Sequence, residues 1–80
     1  MIMPTKHINF SESLLGFGSY ILAKLEKPQT VDELWKIYRK DIQKEFYFTD
    51  HSFDNFISTL LFLYSMDSVI EERGVLKRCA

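Results

Sequence analysis

One cysteine, two prolines and three glycines in 80 residues leave this chain with few of the devices that brace small proteins. Cys79 alone cannot close an intramolecular disulfide, so a reducing compartment, the cytoplasm, is the expected location. His7, His51 and Cys79 are the only nucleophile, base or soft-metal types, and no two of them stand at C-x-x-C or H-x-x-x-H spacing. No catalytic residue, metal or cofactor is expected. The glycines of LLGFGSY lie in a helical pattern rather than in a phosphate loop after a strand, and Glu71 and Glu72 would alternate faces on a strand instead of converging on one atom. The longest apolar run, LLFLY from Leu60 to Tyr64, falls far short of the roughly 20 residues that cross a bilayer, so no membrane span is expected. MIMPTKHINF, with Pro4 and a single basic residue, Lys6, lacks the basic region, apolar run and small-residue cleavage site of a secretory signal. A formal net charge of -1 gives no overall pull toward nucleic acid.

What the chain does hold is an ordinary globular balance, 46% hydrophobic and 26% charged, at a length that suits one small domain. Twelve aromatics (seven Phe, four Tyr, one Trp) exceed what so small a core needs, because each carries roughly 150–250 Å² of surface. Some of them are therefore expected to face a partner.

Periodicity divides the chain into an N-terminal arm over 1–10, a three-helix core over 11–66 and a wing over 68–79. The first helix, about 12–26, is expected to start on Ser11 as N-cap and to bury Leu14, Leu15, Gly18, Ile21, Leu22 and Leu25 before Pro28 stops it. Gly16 and Gly18 suggest a close backbone approach by another element. In KPQTVDELW, Thr30 followed by Glu33 forms a capping box, and Val31, Leu34, Trp35, Tyr38 and Ile42 make the apolar stripe of a second helix whose wet side includes Asp32, Asp41 and Glu45. Phe46, Tyr47 and Phe48 read as a short strand or bridging turn in the 43–52 linker, with His51 capping or at the surface. Thr49 or Ser52 caps the third helix, where Phe53, Phe56, Ile57, Leu60, Leu61, Leu63 and Tyr64 make the spine of the core. VIEE and VLKRC, joined by Arg73-Gly74, then form a hairpin whose Val69, Ile70, Val75 and Leu76 pack on the helices. Three helices followed by this wing give a mainly α fold with a small β-hairpin, in winged helix-turn-helix order.

MPTKHINFSESLLGFGSYIL, TVDELW and SFDNFISTLLFLYSMDSVIEE resemble the small winged-helix middle components, middle component 6, of bacterial ABC-three-component conflict systems. The likeness spans nearly the whole chain, and PTKH is its most distinctive part; the aromatic QKEFYFTDH departs from it. The resemblance implies a non-enzymatic adaptor that links an SMC/Rad50-like ABC ATPase to an effector protein in antiviral or anti-plasmid defence.

Charge bears on the same question. The third helix has no Lys or Arg and holds Asp54, the wrong sign for a phosphate backbone, so DNA reading through it is disfavoured. Protein contact is instead expected at the arm (Pro4, Thr5, Lys6, His7), the aromatic linker (Phe46, Tyr47, Phe48) and the wing (Arg73, Lys77, Arg78), because aromatic and Arg anchors dominate interface energetics. The competing reading is a winged-helix DNA-binding regulator that touches phosphates through Lys36, Arg39, Lys40 and Lys44 with the wing. A homodimer through the glycine face of the first helix is a third.

Overall fold

A computed structural model describes residues 13–47 and 49–79 of the chain. The elements run α1 (Leu14–Lys24), β1 (Gln29–Thr30), α2 (Val31–Gln43), α3 (Phe53–Ser65), β2 (Val69–Glu72) and β3 (Val75–Arg78). Antiparallel pairing orders the sheet β1-β3-β2, so the C-terminal hairpin is joined on one side by the two residues that lead into α2. Three helices and a small antiparallel sheet in this sequence are compatible with a winged helix.

Each helix starts where a short polar side chain can satisfy an orphan amide. Ser13, two residues beyond the expected Ser11, caps α1 by accepting from Gly16 N–H at 2.9 Å. Lys24 closes the helix two residues early, because the Gln29 side-chain amide, itself buried, donates to the Lys24 carbonyl at 2.8 Å. The capping box of α2 forms as expected: Glu33 N–H donates to the Thr30 hydroxyl at 3.1 Å, and Thr30 N–H donates to the Glu33 carboxylate at 2.9 Å. Thr30 thus ends β1 and caps α2 with one extended backbone conformation. Ser52, of the two candidates, caps α3 by accepting from Asn55 N–H at 3.1 Å.

The C-termini of α2 and α3 close with the same device. Phe46 N–H returns to the Asp41 carbonyl and Ser68 N–H to the Leu63 carbonyl, with Glu45 and Asp67 in the left-handed region that glycine usually fills there. Arg73 and Gly74 are both left-handed too, which makes a two-residue type I′ turn whose twist matches the paired strands. Glu71 braces the turn by accepting from Gly74 N–H at 2.6 Å.

Phe17, Ile21 and Leu25 of α1, Leu34 and Tyr38 of α2, Phe56, Leu60 and Leu63 of α3, and Val69 and Leu76 of the hairpin form the core. Two expectations change here. Leu14 and Leu15 are exposed, because α1 turns Phe17 inward beside the expected Gly18, Ile21 and Leu25; and Ile70 is exposed while Val75 is half-buried, because strand alternation sends them to the face opposite Val69 and Leu76.

Gly18 sets that phase of α1. A Cβ built on it would lie 3.1 Å from Leu63 Cδ2 and 3.8 Å from Thr59 Cγ2, so α1 and α3 meet where a side chain is missing. Alanine there gains about 1 kcal/mol of helix propensity against a slightly tight contact, and Gly18→Ala should stay within about 1 kcal/mol of the native chain. Gly18→Val drives γ-carbons into Leu63 and should cost about 1–3 kcal/mol. Urea denaturation of both variants checks the contrast; equal stabilities would mean that the helices do not meet at Gly18.

Candidate protein-interaction face

The apolar residues of α3 split between two directions. Phe56, Leu60 and Leu63 join the core with Thr59, whose hydroxyl donates to the Asn55 carbonyl at 2.8 Å. Phe53, Ile57, Leu61 and Tyr64, spaced by four, four and three residues, form a second stripe beside the first. Ile57 is half-buried, but Leu61 is 63% exposed and Tyr64 57%. The sequence pattern puts all of them in the spine, and this exposure corrects it: a helix of 13 residues in contact with one core has a single inward face, and the remaining apolar positions must look outward.

Beside this stripe lies an open groove of about 280 Å³. Its floor is Leu60 with Val31 at the start of α2 and Val69 and Leu76 of the hairpin; Ile57, Leu61 and Tyr64 make the wall, and Glu71 is the charged residue at its rim. At the N-terminal end of α3 the stripe continues onto α2, where the Trp35 ring meets Phe53 edge-on at 5.1 Å. No basic residue lines the groove or occurs in α3.

The residues singled out from sequence do not converge on one site. Pro4, Thr5, Lys6, His7 and Phe48 lie outside the described residues. Phe46 projects, 71% exposed, whereas Tyr47 turns inward against Tyr20 at 4.5 Å and Phe17 at 5.9 Å. Residues 44–47 form a turn following α2, and no strand occurs among the described residues of the linker. On the wing, Arg73 is exposed at the turn, Lys77 pairs with Glu72 at 3.0 Å, and the Arg78 guanidinium donates to the Leu22 carbonyl of α1 at 3.1 Å. Along α2, Lys36, Lys40 and Lys44 are exposed, while Arg39 is half-buried over the rings of Trp35 and Tyr38 and paired with Asp50. Arg39 therefore fastens the linker to α2.

His51, expected as a helix cap or at the surface, and Asp41, expected on the wet side of α2, are both interior. His51 is buried and stacks on Phe17 with centroids 3.9 Å apart, and its Nδ1 lies 2.8 Å from the Asn55 amide nitrogen. Asp41, assigned to the wet side of α2, is buried where the Tyr20 hydroxyl donates to it and Lys24 Nζ approaches to 3.1 Å. Burial alone would push the Asp41 carboxyl up, but the hydrogen bonds from Tyr20 and Lys24 outweigh it and hold the carboxyl below its ordinary value. The lowered value favours the folded state above the usual carboxylate range, and this contribution fades as pH falls through it. Both residues tie α1, α2 and the linker together.

Among the described residues, no group of three or more His, Cys, Asp or Glu is placed to hold a metal ion, and no helix is long and apolar enough to cross a membrane. Among the described residues, the groove beside α3 joins a concave shape to a lining that is apolar but for Glu71 and the Tyr64 hydroxyl. A family model described as ABC-three component (ABC-3C) system Middle Component 6 matches residues 3–79.

The chain belongs to the Middle Component 6 family. No curated protein and no solved structure matched it. As a Middle Component 6 protein it is one part of a system with several components. In this member the surface next to the helix that a winged-helix DNA reader would insert into a groove is oily and acidic, not cationic. Sequence reasoning passed over that stripe because periodicity reports which positions are apolar and not which of them other elements cover.

Proposed function

We propose that this chain is the non-enzymatic adaptor of a bacterial defence system, working in the cytoplasm to join an ABC-type ATPase to an effector protein by protein–protein contact. The observation that carries the reading is the cation-free apolar face of α3, with Leu61 and Tyr64 more than half exposed beside the groove. Contiguous exposed apolar surface of this kind marks association sites, since leaving it in water forgoes about 25 cal/mol per Å². Membership of the Middle Component 6 family supports a role within an assembly. Phe46 and Arg73, both exposed, are the linker and wing residues best placed to add anchors at the edges.

Co-expression with the ATPase and effector of the same system tests it. The tagged chain should retain at least one of them, and the complex should persist as salt rises from about 0.1 M to about 0.5 M, because apolar contact is not screened. Binding to duplex DNA through Lys36, Lys40 and Lys44 would instead fall by orders of magnitude over that range. No retained component, or a retention that follows DNA and salt in this way, would replace the adaptor with the DNA-binding regulator.

A further inference from the structure

We infer that the groove between α3 and the hairpin receives an amphipathic helix of a partner component, one with a Leu-type apolar stripe flanked by Lys or Arg. This rests on the adaptor reading and names the partner's chemistry. At about 280 Å³, the groove sits at the lower edge of the roughly 300–1,000 Å³ of small-molecule pockets, and it is open to solvent where such pockets enclose their ligand. It lacks the several convergent polar groups that orient such ligands, holding only Glu71 and the Tyr64 hydroxyl against an apolar floor. A row of side chains spaced i, i+3, i+4 and i+7 suits it better, as in other helix-in-groove complexes.

Charge selects the occupant. Asp54 borders the stripe in the first turn of α3, two turns before Leu61, Glu71 stands on the rim, and Asp67 follows α3; all three are exposed, and α3 carries no cation to offset them. A basic flank on the incoming helix complements these acids. A second copy of this chain does not: if two α3 faces met in parallel, Asp54 would approach Asp54, and if antiparallel, Asp54 would approach Asp67. A phosphate backbone is repelled by the same acids. Addition of a strand at β2 would leave Ile57, Leu61 and Tyr64 without a role, since β2 offers hydrogen bonds only along its own edge.

Two synthetic helical peptides with the same Leu stripe, one flanked by Lys and one by Glu, are titrated against the full chain by fluorescence anisotropy at low salt. The Lys-flanked peptide should bind about tenfold tighter, as a few exposed charge pairs allow. Leu61→Glu and, separately, Tyr64→Glu should each weaken it at least about tenfold with the circular dichroism spectrum unchanged; Lys40→Glu, on an exposed position of α2, should not. Glu71→Lys, which leaves Asp54 and Asp67 in place, should narrow the preference between peptides. Equal binding of both peptides, no binding of either, or undiminished binding to both folded Leu61 and Tyr64 variants overturns the groove assignment. The two readings separate in copurification. If the ATPase or effector copurifies equally with native chain and Leu61→Glu, the adaptor stands and the groove falls; if the Lys-flanked peptide binds as expected but no component copurifies, the groove stands and the adaptor falls.

Discussion

Phe17→Ala is expected to remove about 3–5 kcal/mol of folding free energy, a large part of the roughly 4–12 kcal/mol that a domain of this length holds. The reason is position. Phe17 is completely buried, its ring stacked on His51 at 3.9 Å, tilted against Tyr38 at 5.0 Å, Tyr47 at 5.9 Å and Phe56 at 6.2 Å. It therefore touches α2, the linker and α3 from α1, and its loss opens a cavity that four rings on separate segments cannot fill by moving together. Leu15→Ala, two residues earlier on the same helix but 62% exposed, should change stability by no more than about 0.5 kcal/mol. Urea unfolding followed by circular dichroism makes the comparison; a Phe17 variant as stable as the Leu15 variant would mean that α1 presents a different face.

That pair of positions also marks where the amino-acid sequence stops speaking. Where candidates stand close together, as Ser11 to Ser13 and Thr49 to Ser52, the sequence does not fix the cap; local chemistry is legible where a pair within a turn has no rival: Thr30 with Glu33, Arg73 with Gly74. Each decides a boundary with no help from the rest of the chain, so the helix order and the hairpin are readable in advance. The phase of α1 is not. Gly18, Ile21 and Leu25 face the core as the pattern indicates, but Leu14 and Leu15 turn to solvent and Phe17, outside the pattern, takes their place, a rotation set by what packs on α1 and not legible in its own residues. β1 escapes for a different reason, since two residues cannot show a period of two. Asp41 and His51 look like surface groups until Tyr20, Lys24 and Phe17, all far away in sequence, arrive over them.

The interaction face follows the same logic. The charge of α3 is legible, and its lack of Lys and Arg already argues against DNA. Which of its apolar residues would be left uncovered depends on where the hairpin lands, and only the fold decides that Val69 and Leu76 cover Leu60 but stop short of Leu61 and Tyr64. On the wing, Lys77 and Arg78 are adjacent in sequence yet engage Glu72 and the end of α1 respectively. Alternation along the strand separates what the sequence groups as one basic cluster.

Stability should fall steeply in alkali, beginning near pH 10, because three tyrosines share the space around Phe17. Burial is the main force that pushes the Tyr20 hydroxyl up, and its hydrogen bond to the Asp41 carboxylate adds to it. Tyr38 is raised by burial as well, although the His51 N–H it accepts at 2.5 Å works the other way, and the same hydroxyl donates to the Thr49 carbonyl at 2.5 Å. Burial and the neighbouring Tyr38 bring Tyr47 up to about 12. In the unfolded chain each ionises near pH 10. Between that pH and the raised folded value, the folded state keeps protons that the unfolded state has released, so the free energy of unfolding decreases as pH rises; the stabilisation is intact below pH 10. For Tyr47 the loss is complete at about pH 12. The limiting slope is about 1.4 kcal/mol per pH unit for each tyrosine, and partial solvation of Tyr20 and Tyr47 narrows the pH window over which it acts. Urea midpoints measured from pH 8 to about 11.5 should therefore drop progressively above pH 10. Tyr47→Phe keeps the ring and removes one titrating group, so its profile should be visibly shallower than that of the native chain. A native profile that stays flat through pH 11 would mean that these hydroxyls reach solvent freely, and the packing of α1 and the linker around Phe17 would have to be redrawn.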